Sequence, residues 1–129
     1  MSQIPANLTL INASPLHMRV LTEKGAPYWH PAPDKVIDAA AQVARLCRSR
    51  GTTVSNLAMQ FALAHEYVSI TLVGMSKVRS VERNLASVGQ APDPELLAAV
   101  LEIIKPAANV VWKEGRPEND DPGAVEKQS

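Results

Sequence analysis

Two short apolar runs, far apart in the chain, constrain its fold more than any other feature of the sequence. The first is Leu8–Ala13, LTLINA, and the second is Ser69–Gly74, SITLVG. Each stops at a polar turn: Ser14-Pro15 after the first, Met75-Ser76-Lys77 after the second. Short, mostly apolar runs of this kind suit strands buried on both faces. The segments between and after them carry helical patterns. Strands alternating with helices indicate βα units, so the two strands are expected side by side and parallel, joined by a right-handed crossover.

From His17 to Pro33 the chain reads as a long loop, broken by Gly25, Pro27, Pro31 and Pro33 with Trp29-His30 in its middle. Asp34 is placed to cap a helix whose apolar stripe is Val36, Ala39, Ala40, Val43, Ala44 and Cys47. Arg45, Arg48 and Arg50 load its C-terminal end, as the helix dipole favours, and Gly51 ends it. A second helix, capped by Thr53 or Ser55, runs through Leu57, Ala58, Phe61, Ala62 and Leu63 to His65, which reads as its C-terminal capping residue. A third is expected from Val78 to Val88. The fourth, ELLAAVLEIIK, is opened by Pro92-Asp93-Pro94 and closed by Pro106.

Residues 1–112 are therefore expected to form one helix-rich α/β domain, and the polar stretch 113–129 a disordered tail. Two parallel strands cannot cover both of their faces or satisfy their outer edges by themselves. The chain reads as the end of something larger.

Composition excludes several partners. With 13 basic and 13 acidic side chains among 129 residues, the chain has no field to steer nucleic acid or an anionic membrane. No apolar run reaches the ~18 residues that a spanning helix needs. The start, MSQIPANLT, has neither the basic end nor the apolar core of an export signal. A single cysteine, Cys47, fits the reducing cytoplasm, and its place in a helical stripe makes it a small buried apolar residue. His17, His30 and His65 lack metal-ligand spacing and have no cysteine pair beside them.

At INASPL with LTEKGAPYWHPAP, and again at LVGMSKVRSVERN, the chain resembles the C-terminal part of an aldo-keto reductase, nearest the L-galactose dehydrogenase-like branch of sugar dehydrogenases. The resemblance runs from about Leu8 to Trp112. It implies a (β/α)8 TIM barrel, with LTLINA as the seventh strand, SITLVG as the eighth, and six strands supplied from elsewhere. It also implies an oxidoreductase that moves hydride between NAD or NADP and a small sugar or aldehyde.

Active sites of such barrels lie at the C-terminal ends of the strands, where Ser14 and Gly74 fall. Ser14 is expected to offer a hydroxyl and a backbone N–H to a pyrophosphate, with Pro15 and Leu16 shaping the turn beside it. Gly74, Met75, Ser76 and Lys77 lead into a helix start, where N–H groups and the dipole attract anions. The resemblance adds Ser80, Arg83 and Asn84 on the adenosine side, and Trp29 and His30 at the border of the substrate pocket.

Two positions depart from the family. Arg19 stands where the family usually has glycine. Arg83 stands where it commonly has a glutamate that accepts from the adenine amino group, and arginine cannot accept that bond. Lys77 and Arg83 could together favour a 2′-phosphate instead. The family's catalytic Asp, Tyr, Lys and His belong to the first half of its barrel, and no residue here aligns with them, so no catalytic residue is assigned. Three readings follow: a reductase chain inactive by itself, a non-catalytic nucleotide-binding module, or a subunit that completes a barrel with a chain supplying the other strands.

Overall fold

A computed structural model describes Pro5 and residues 7–112, so the expected tail lies outside the described residues. Strands β1 (Leu10–Ala13) and β2 (Val68–Leu72) pair in parallel, with Ile11 opposite Ile70, Asn12 opposite Thr71 and Ala13 opposite Leu72. The second strand stops before Val73 and Gly74, which the sequence had assigned to it. Its neighbour has already turned away: Ser14 adopts φ 56°, and its N–H donates to the Leu72 carbonyl at 3.1 Å. That bond is the last rung.

Four helices accompany the strands: α1 (Asp34–Ser49), α2 (Val54–Leu63), α3 (Val78–Ala86) and α4 (Pro94–Ile104). Asp34 does not cap α1. Pro33 occupies the cap position and its carbonyl accepts from Val36 and Ile37, leaving Asp34 in the first turn, where its charge meets the helix dipole. Thr53 caps α2, its Oγ1 accepting from the Asn56 N–H at 3.1 Å. Asp93 caps α4 in the same way, through Leu96 at 2.8 Å. Helix α2 ends at Leu63 with Ala64 as its C-cap, so His65 is not the capping residue; its Nδ1 accepts from Tyr67 N–H in the turn that follows. Helix α3 stops at Ala86 because Ser87 and Val88 each bond only three residues back.

The core is helical. Val43 and Cys47 of α1, Val54 and Leu57 of α2, and Leu96 and Val100 of α4 pack together and are almost sealed from water. Fully burying a side chain of this size contributes roughly 1.5–3 kcal/mol. The sheet is covered less well. An apolar cavity of about 590 Å³ remains between strands and helices, lined by Leu10, Pro15, Val43, Leu57, Phe61 and Leu101. Ile11, Ile70 and Leu72 are each about half exposed, so the strands are not buried on both faces among the described residues. Each strand also keeps one unpaired edge there.

Helix α3 is turned inside out. It buries Asn84, with Ser87 behind it at the helix's C-cap, while Val78, Val81 and Leu85, and Val88 just past its end, line its exposed side. Those four positions recur at helical spacing and form a stripe of the kind that normally faces a core.

Candidate functional site

Parallel pairing puts the C-terminal ends of both strands at one end of the sheet, and the residues singled out in the sequence leave from there. Ser14, Pro15 and Leu16 follow β1; Gly74, Met75, Ser76 and Lys77 follow β2. The Ala13–Leu72 pair and the Ser14–Leu72 bond hold the two turns next to each other. One expectation is corrected. The Ser14 backbone N–H is used by the sheet, so Ser14 has only its hydroxyl to offer a ligand.

The turn after β1 is strained. Ser14, His17, Met18 and Arg19 have φ values of 56°, 51°, 48° and 77°. Left-handed backbone costs a side-chain-bearing residue roughly 1–2 kcal/mol, and such residues cluster at functional sites. Turn bonds hold this conformation: His17 N–H to Ser14, Val20 to His17 and Leu21 to Leu16. The strain at Arg19 explains why a glycine suits that position.

On the other side, Lys77 is the N-cap of α3, extended and without a side-chain capping bond, and no acidic residue lies in the first turn. Among the described residues, none of Lys77, Arg79 and Arg83 is ion-paired. Asn84 is only 5% exposed, and both polar atoms of its carboxamide lack a hydrogen-bond partner among the described residues. A buried amide left in that state costs free energy until something bonds to it. A carboxamide matches the donor and acceptor edges of adenine, and a helix start with free cations matches phosphate. The helix start with its cations therefore suits a phosphate, while the Asn84 carboxamide is closed to a ligand in this conformation. Ser80 and the exposed Arg83 lie on the same helix, and the Arg83 carbonyl accepts from Ser87 Oγ at 3.4 Å.

Trp29 and His30 separate. Trp29 stands 58% exposed, whereas His30 is buried, its Nδ1 accepting from the Ala32 N–H at 3.1 Å. That bond leaves the His30 proton on Nε2. His30 lies 6.0 Å from the His17 ring, and Trp112 packs edge-on to both, at 5.0 Å from His17 and 6.0 Å from His30. Sequence reasoning missed this cluster, because nothing in the spacing of residues 17, 30 and 112 joins them.

It also missed Glu23. Its carboxylate accepts from Ser55 at the start of α2, from the backbone N–H at 3.3 Å and from Oγ at 3.0–3.2 Å. Ser55 had been read as a possible cap; it is instead sealed inside the helix start and bound to a residue far away in the chain. Burial, with the nearby Glu23 charge second, pushes the Cys47 thiol above its ordinary value. The thiol is closed off at 0% exposure, as suits a packing residue.

The family model described as "Aldo/keto reductase family" matches residues 2–105. The chain belongs to the aldo/keto reductase family. It is 40% identical over 114 residues to L-galactose dehydrogenase of Arabidopsis thaliana, a match that takes in 85% of this chain and 36% of that protein. The chain thus spans about a third of the length of this curated relative.

Proposed function

We infer that this chain forms the cofactor-holding part of a cytoplasmic NAD(P)-dependent sugar or aldose dehydrogenase, with β1 and β2 as the seventh and eighth strands of a (β/α)8 barrel. The observation that carries the reading is the shared strand end, with the Ser14 turn and the Gly74–Lys77 turn side by side above the unpaired start of α3. The family match and the likeness to a sugar dehydrogenase support the same class. Among the described residues, no helix is long and apolar enough to cross a membrane.

In this reading Ser14 Oγ and the Ser76-Lys77 turn hold the pyrophosphate, with Pro15 and Leu16 as the wall of the turn. Ser80, Arg83, Asn84 and Lys77 lie on the adenosine side. The bound nicotinamide supplies or accepts the hydride. Trp29 borders the sugar, with His30 behind it. A group that moves the proton of the substrate oxygen must come from the other strands. The exposed Ile11, Ile70 and Leu72, the two free edges and the α3 stripe mark where those strands would pack. The chain alone is accordingly expected to be inactive.

Titration of the chain with NADH and NADPH tests the cofactor site. Lys77→Ala should weaken binding several-fold and flatten its salt dependence, because the contact is between a cation and a phosphate. An unchanged dissociation constant in Lys77→Ala would remove that turn from the site.

A further inference from the structure

We propose that Glu23 is a positioning residue, whose carboxylate latches the loop that carries Ser14, Trp29 and His30 onto the N-terminus of α2. This rests on the cofactor and substrate roles inferred for that loop, but the latch itself can be observed without them. The loop runs from Ser14 to Pro33 without regular structure, longer than connections in compact domains usually are. Val20, buried, and Leu21, packed against the helical core, hold its first half, but the residues after them are less well covered. A cleft of about 330 Å³, lined by Thr22, Glu23, Lys24, Ile37, Ala40 and Arg48, separates these from α1.

Beside that cleft, the Glu23 side chain ties the loop to α2. Ser55 N–H is among the donors that a helix start leaves without an intrahelical acceptor, and the Glu23 carboxylate takes it. Ser55 Oγ, itself fully buried, donates its proton into the same carboxylate at 3.0 Å from Oε2. The charge sits where the α2 dipole favours an anion. Thr53 supplies the ordinary cap of this helix through Asn56, so Glu23 is not needed for capping. What it adds is a fixed point for the loop, between the strained Ser14–Arg19 turn and the Tyr28-Trp29 corner. The His17–His30–Trp112 cluster fastens the loop's other side.

Amide hydrogen exchange on the 129-residue chain, paired with NADPH titration, tests this. Glu23→Ala should speed exchange of amides between residues 16 and 28 by about ten- to a hundredfold, the range expected for a lost charged hydrogen bond. It should also weaken NADPH binding. Glu23→Gln, which keeps an acceptor, should restore part of both. Asp93→Ala removes the cap of α4, whose bond to Leu96 involves neither the loop nor Ser55, and should leave loop exchange and NADPH affinity as they were. Unchanged loop exchange in Glu23→Ala would overturn the latch. Faster exchange with undiminished NADPH affinity would overturn the positioning role alone. No NADPH binding by the unmodified chain would instead bring down the cofactor reading, and positioning with it, whatever the exchange shows.

Discussion

Arg19 is held at φ 77°, where its side chain is a burden on the backbone. Arg19→Gly should therefore stabilise the folded chain, by up to about 1 kcal/mol after the entropy that glycine adds to the unfolded state. Urea unfolding measures it, and a loss of stability would mean that the arginine side chain makes a contact worth more than the strain. Cys47 gives a prediction with a sign. Its folded thiol titrates above the ordinary value of 9.0. The folded state therefore keeps a proton that the unfolded chain has lost. Its contribution is present below 9.0 and falls away as pH rises through the raised value. Unfolding free energies between neutral and alkaline pH should decline more steeply for the natural chain than for Cys47→Ala, and parallel curves would contradict this.

At the scale of elements, local chemistry was readable and long-range chemistry was not. Thr53, Gly51 and Asp93 were legible because a cap or a helix stop depends on neighbours within one turn. Asp34 misled, since Pro33 before it can take the cap position through its backbone carbonyl alone. The strand ends shifted because a strand stops where its partner turns, and the Ser14 turn is not visible in the SITLVG run. The Ser14 and Gly74–Lys77 turns were legible through strand polarity and resemblance. The Glu23–Ser55 bond was not, because no local pattern links a loop carboxylate to a distant serine. Thr53→Ala should cost α2 about 1 kcal/mol, read by thermal unfolding. A change of a few tenths would show that Glu23 already holds that helix start.

Among the described residues, a helical core adjoins a sheet whose Ile11, Ile70 and Leu72 stand about half exposed. Leu57 and Leu96 are 4% exposed in the joint between α1, α2 and α4, so Leu96→Ala should cost roughly 2–5 kcal/mol by denaturant unfolding. A loss below 1 kcal/mol would mean that the core is loosely packed. Ile70 and Leu72 on the sheet, Val78 and Leu85 on α3 and Val88 just beyond it are all about half exposed or more. Apolar surface of that extent favours association. The chain alone should accordingly bind a hydrophobic dye and elute as more than a monomer.

In the proposed function, these exposed faces meet the remaining strands of a barrel, which bring the proton-transferring groups, while this chain holds the cofactor. The most direct measurement is nicotinamide absorbance with an aldose, for the chain alone and for a chimera. In the chimera, residues 8–112 replace the matching third of the Arabidopsis thaliana relative. No turnover is expected from the chain alone, and turnover by the chimera should fall when Lys77 is replaced by alanine. Turnover by a compact monomer of the chain alone, or a folded chimera that binds neither NADH nor NADPH, would contradict the proposed function.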